Sequence, residues 1–167
     1  FKWEAYTTWL SGFALLVVLY YVDASANLVD PTVANLLPGE AIAISVGLLL
    51  VAWIVYELLC RILGRHQLWL GACIVGLMTL AAWATSELFA PRAAFLQVGA
   101  MLGTIMAANV FLVIIPAHRK LVTAMEEKRE PDAAPLLEAK NRSVHNNYLT
   151  LPVLFTMLAG HFAFVFG

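Results

Sequence analysis

Charge is what this sequence has least of. Asp, Glu, Lys and Arg make up 13% of its 167 residues, against about 25% in ordinary soluble domains. The few charges nearly cancel, leaving a net charge of −1, which excludes a bulk basic surface for nucleic acid. Cysteine is also scarce. There are two, Cys60 and Cys73, with no Cys-x-x-Cys-His, so the chain has neither a covalent haem site nor a disulfide framework. Both cysteines read as packing residues. What is abundant is apolar: 62% of residues are hydrophobic, and mean hydropathy is +0.81.

The charges are also absent in blocks. Residues 5–22, 41–56, 68–86, 93–117 and 148–167 contain none, and together they exceed half of the chain. One soluble core of this size cannot bury that much apolar surface. A bilayer solvates it, because about 20 apolar helical residues cross its ~30 Å hydrocarbon layer. Lipid offers the backbone no hydrogen bonds, so such segments are helices or closed barrels. The runs are continuous rather than alternating, which excludes barrel strands. The expected fold is all-α: one transmembrane domain over 1–167, a bundle of about five helices. These cover about 5–22, 41–60, 68–86, 93–118 and 148–167. The second continues through Glu57, which can pair with Arg61 one turn on.

Lys and Arg orient the bundle. Lys2, Arg61, Arg65, Arg119, Lys120, Lys128, Arg129, Lys140 and Arg142 share one side, and only Arg92 lies on the other. The start is therefore expected in the cytoplasm and the end outside. Trp3, Tyr6, Trp53, Tyr56, Trp69 and Tyr148 fall at the inner interface, and Tyr20, Tyr21 and Trp83 at the outer one. Amphipathic rings anchor at those depths. The connection 119–147 is the one sizeable polar segment. A short solvated helix is expected at its start, a break at Pro131, and a helical turn over about 135–142. The chain opens on Phe1 rather than Met and closes on an apolar run, so further membrane sequence is expected before and after it.

Some polar groups need more than lipid solvation. Gly99, Gly103 and Ala107 form a small-residue stripe that lets a helix approach closely. Asn109 lies in the same run, where an unpaired amide is costly; its partner is a neighbouring helix or a ligand. His66, His118 and His145 lie near the cytoplasmic surface. His161 is 13 residues past Tyr148, about 20 Å higher along a helix. An ionisable residue inside a span is a functional candidate. A b-type haem needs axial ligands from two helices at one depth, which His118 and His145 can supply. Each histidine also reads as a hydrogen-bonded structural group. Ser143, His145, Asn146 and Asn147 crowd the expected start of the last helix, where free N–H groups and the dipole attract anions. That cluster is either an N-cap, with Pro152 early in the helix, or a binding site.

Three blocks carry a family resemblance: Phe1-Lys2-Trp3-Glu4-Ala5-Tyr6-Thr7-Thr8-Trp9-Leu10-Ser11-Gly12, then Val98 to Phe111, then Ser143 to Phe155. In order and over most of the chain they resemble the membrane domain of bacterial urate hydroxylase, the cytochrome-c-coupled urate oxidase family of PuuD type, here as an internal fragment. The resemblance implies a multi-pass enzyme of the bacterial inner membrane, active in purine catabolism. It would oxidise urate to 5-hydroxyisourate with oxygen from water. Electrons would pass to a c-type cytochrome domain or protein. His145, Asn146, Asn147 and Asn109 are then the candidate catalytic residues, binding urate or a haem edge. His118 and His161 are the candidate haem ligands, and Lys2 and Glu4 candidate members of the same inner-face pocket. The family's upstream helices and its downstream Cys-x-x-Cys-His domain are not in this sequence. Met157-Leu158-Ala159-Gly160 also puts small residues ahead of His161 where the family is more polar. The alternative reading is a non-catalytic membrane subunit packed by neighbouring helices in a larger respiratory or photosynthetic complex.

Overall fold

A computed structural model describes residues 2–64, 66–159 and 162. Every regular element among them is helical. Helix α1, Lys2–Leu16, runs on into a π-helical segment, Val17–Tyr21. A single turn, α2 (Ala24–Asn27), leads to α3 (Pro38–Leu63) and α4 (Gln67–Ser86). Helix α5 (Pro91–Ala108), a second π-helical segment (Asn109–Ile114) and α6 (Ile115–Glu126) form one rod, and α7 is Ala133–Ala159. Among the described residues, three helices are long and apolar enough to cross a membrane: Pro38–Leu63, Gln67–Ser86 and Pro91–Glu126.

Local chemistry sets these boundaries. Pro38 and Pro91 sit in the first turns of α3 and α5, where a missing N–H costs nothing. Glu40 accepts from the Leu37 N–H at 3.1 Å. Helix α6 ends where Lys128 turns left-handed at φ 53°. There the Arg129 N–H reaches the Ala124 carbonyl and the Lys128 N–H that of Met125, at 3.0 and 3.1 Å, a Schellman closure. The π segment has its cause in Pro116, which offers no N–H and whose ring would strike the Leu112 carbonyl of a regular helix. The helix widens just upstream, and the Ile115 N–H bonds the Val110 carbonyl five residues back.

The last helix starts earlier than its apolar run predicts. Only residues 127–132 between the two helices are non-helical. Helix α6 carries the preceding rod to Glu126, and α7 starts fifteen residues before the apolar run at Tyr148. Ala, Leu, Glu, Lys and Arg dominate that extension and favour helix; Asp132 accepts from the Ala134 N–H at 3.1 Å. The segment Ser143–Asn147 is therefore mid-helix rather than an N-cap, and Pro152 lies inside the helix rather than in its first turn.

Helix α5 is the hub, packing on α1, α3, α4 and α7. Its buried side includes Gln97, Val98, Met101, Leu102 and Ile105. Tyr56 and Leu149 join Val98, Leu102 and Ile105 in one cluster. Phe89 and Leu28 form another with Ala24, Ala41, Ala93 and Ala94 at the other end, where the Ala90 N–H bonds the Leu28 carbonyl at 3.0 Å. Between the two lies a polar triad. Gln97 donates to the Ser45 carbonyl at 2.8 Å and accepts from the Ser45 hydroxyl at 2.7 Å. That leaves Tyr21 to donate to Ser45 Oγ, also at 2.7 Å. Large apolar side chains such as Leu50, Ile54, Leu58 and Leu80 face outward.

The small-residue stripe is only partly a contact. A methyl built on Gly99 would collide with the Thr156 hydroxyl of α7 and lie 3.2 Å from Thr156 Cβ, whereas one on Gly103 meets nothing within 4 Å. Gly99→Ala is therefore expected to lower stability by about 1–3 kcal/mol through overpacking. Gly103→Ala is expected to be neutral, or stabilising by up to about 1 kcal/mol from helix propensity. Thermal unfolding in detergent micelles compares the two; equal effects would contradict the assigned contact.

Candidate functional site

Residues three and four apart on a helix share a face. On α7, Glu138, Arg142, His145, Asn146 and Leu149 have that spacing. Their face meets α3 and the π segment. The centre is Arg142, whose side chain is 2% exposed. Its Nη2 donates to Glu57 Oε2 at 2.7 Å and lies 3.5 Å from Glu138 Oε1. Its Nη1 donates to Asn109 Oδ1 at 3.3 Å. The guanidinium also sits 5.3 Å from the centre of the Tyr56 ring. Removing a guanidinium from water costs several kcal/mol, and the carboxylates, amide and ring offset that cost together.

Asn109 opens the π segment and distributes the remaining bonds. Its Nδ2 donates to Tyr56 OH at 3.0 Å and to Asn146 Oδ1 at 2.9 Å. Asn146 Nδ2 donates to the Met106 carbonyl at 3.0 Å. Because Tyr56 accepts from Asn109, its one proton goes to His145 Nδ1 at 2.8 Å. His145 thus carries its own proton on Nε2, directed at Gln67 Oε1 at 3.4 Å. Burial, helped by the nearby Arg142 charge, holds the His145 imidazole below the ordinary histidine value. Glu57 is shared: Arg61 Nε donates to its other oxygen at 2.8 Å. Among the described residues, no buried side-chain nitrogen or oxygen lacks a hydrogen-bond partner.

An open cavity of about 620 Å³ adjoins this network. Trp53, Glu57 and Arg61 of α3 form one wall, Asn109 the floor, and Lys120 of α6 and Glu138 of α7 the rim. A second cavity, of about 220 Å³, lies between α3, α4 and α5, and its lining is almost wholly apolar.

The structure brings together His145, Asn146 and Asn109 of the candidate set. Asn147 is exposed on another face of α7, and His118 is exposed on α6. His161 lies outside the described residues. Both His145 nitrogens are directed at protein partners, Tyr56 and Gln67. No group of three or more His, Cys, Asp or Glu that could hold a metal ion occurs among the described residues. Glu4 does not line the cavity. Tyr56, expected as an interfacial anchor, is 3% exposed and holds the centre of the network. Arg142, Tyr56 and Lys120 were not singled out by the sequence as site residues. The available signal was the spacing Glu138, Arg142, His145, Asn146, which an uninterrupted helix places on one face.

The family model "Urate oxidase N-terminal" matches the chain over residues 1–167. No curated protein and no solved structure matches it.

Two measurements probe the network. Glu57→Gln leaves the buried Arg142 without its closest carboxylate and is expected to cost about 3 kcal/mol or more. Arg61→Ala removes a partner that is 74% exposed and is expected to cost under about 1 kcal/mol. Unfolding in mixed micelles ranks them, and the reverse order would contradict the assignment. The pH dependence follows from His145. Its folded-state affinity for a proton is lower than that of the unfolded chain. Its contribution is complete above the ordinary histidine pKa of about 6.5, declines as pH falls below that value, and is gone once pH has fallen through the lower folded-state value. His145→Gln should remove this part of the acid sensitivity, read as Tm against pH.

Proposed function

We propose, from the fact that the chain belongs to the urate oxidase N-terminal family, that it forms the membrane-embedded part of a urate hydroxylase. The finer reading is the cytochrome-c-coupled enzyme of PuuD type in the bacterial inner membrane. In this reading the bundle crosses the bilayer with five helices. The end carrying most basic residues faces the cytoplasm, as the positive-inside rule requires. The observation that carries the reading is the family match across the whole sequence. Three long apolar helices and the buried polar network at their basic end support it.

The chemistry balances without molecular oxygen. Urate and one water give 5-hydroxyisourate, two protons and two electrons. A c-type haem would take one electron at a time, so two ferric cytochromes would be reduced per urate. Within this chain, Arg61 and Lys120 supply positive charge at the cavity. That charge favours an anionic ring and electron-rich intermediates by preorganised electrostatics. Tyr56, which accepts from Asn109, donates to His145 Nδ1, so the His145 Nε2 proton points to Gln67. Glu57, clamped by two guanidinium groups, keeps Arg142 in place.

One observation favours a second reading. The buried polar atoms of the network are satisfied within the protein, as a purely structural knot would be. A non-catalytic membrane subunit is that alternative. Membranes holding the full-length gene product are expected to reduce ferricytochrome c on addition of urate, without releasing hydrogen peroxide. Absence of urate-dependent reduction would reject the enzyme in favour of the subunit.

A further inference from the structure

We infer that the 620 Å³ cavity beside Glu57 is the urate pocket, gripped by Lys120, Arg61, Glu138 and Trp53 rather than by the asparagines of α7; this rests on the functional reading above. Urate is a flat bicyclic anion whose edges alternate ring N–H donors with carbonyl acceptors. A pocket for it needs a flat wall, acceptors for the N–H edges, and cations for the oxygens. The cavity has all three. Trp53 provides an indole surface, Asp132 and Glu138 carboxylates beside the paired Glu57, and Arg61 and Lys120 positive charge. Its volume is within the range of about 300–1,000 Å³ typical of small-molecule sites. It lies at the end of the bundle that carries most basic residues.

The hydrogen-bond inventory assigns the roles. Asn109 lines the cavity, but both its amide hydrogens and its oxygen are committed to Tyr56, Asn146 and Arg142. It forms the floor and has no spare donor. Asn146 accepts from Asn109 and gives one amide hydrogen to the Met106 carbonyl, and it does not line the cavity. Asn147 is exposed away from these partners. Lys120, by contrast, is in the lining and makes no hydrogen bond or ion pair within the described residues. Arg61 can leave Glu57 for a ligand because Arg142 still neutralises the carboxylate. Glu138 is exposed and only loosely held by Arg142, at 3.5 Å. The groups with free valence are those at the rim.

Lys120 and Arg119 are adjacent, equally charged and both exposed, and only Lys120 lines the cavity. This gives a matched test in membranes holding the full-length protein, with urate as the varied substrate and cytochrome c reduction as the readout. Lys120→Ala is expected to raise the urate KM about tenfold, the loss of one charge-assisted hydrogen bond, with kcat within about twofold. Arg119→Ala removes the same charge and should keep the wild-type KM. Ala134→Trp fills the cavity from the exposed first turn of α7, and should abolish urate-dependent reduction while helix content and protein level stay at wild-type values. Should that variant not accumulate, the Lys120/Arg119 pair decides. Wild-type KM in Lys120→Ala, or an equal rise in Arg119→Ala, overturns the pocket while leaving the enzyme intact. An inactive wild type overturns the functional reading itself.

Discussion

A guanidinium sealed among helices is the constraint from which the basic end of this molecule follows. Arg142 can stay charged away from water only if every direction of its plane finds a counter-group. Glu57 must come from α3, Asn109 from the long central rod and Glu138 from α7 itself. Those three demands fix the rotation of α7 against two other helices. The hydrophobic contacts of Leu149 with Tyr56 and Leu102 then fall into place about two turns along.

The rod could not meet its part of this arrangement as a regular α-helix. Pro116 forces a widened segment upstream, and Asn109 is the residue at which the widening starts. Such segments recur at functional sites because they turn one side chain off the usual helical lattice. Here a defect in backbone pairing and a carboxamide with three bonds to make occupy the same position. Proline places the amide, and the amide organises tyrosine, arginine and the second asparagine around itself.

The composition alone made the apolar helices legible, because lipid-like runs need no tertiary information. Helices over 38–63, 67–86 and 91–126 lie close to the runs that lack charge. The long polar start of α7 was not legible from hydropathy. An amphipathic helix that buries one arginine looks like a loop to any measure of mean apolarity. The same misreading hid the site. Taken as a cap, Ser143 to Asn147 present all their polar groups to one place. Taken as mid-helix, they divide, with His145 and Asn146 turned inward and Asn147 outward. Tyr56 was misplaced for a related reason. Amphipathic rings at a helix end usually anchor in an interface, and only the partner helices show that this one is covered.

The triad of Tyr21, Ser45 and Gln97 has a consequence for how the chain is made. Of the three, Gln97 is the most expensive to leave without partners in an apolar medium, and it is translated last. When α5 leaves the ribosome, the hydroxyl and carbonyl of Ser45 and the hydroxyl of Tyr21 are already present on earlier helices. The order of the sequence supplies the acceptors and donors before the amide that needs them. The hub helix therefore enters a half-built bundle in which its polar residue already has a place.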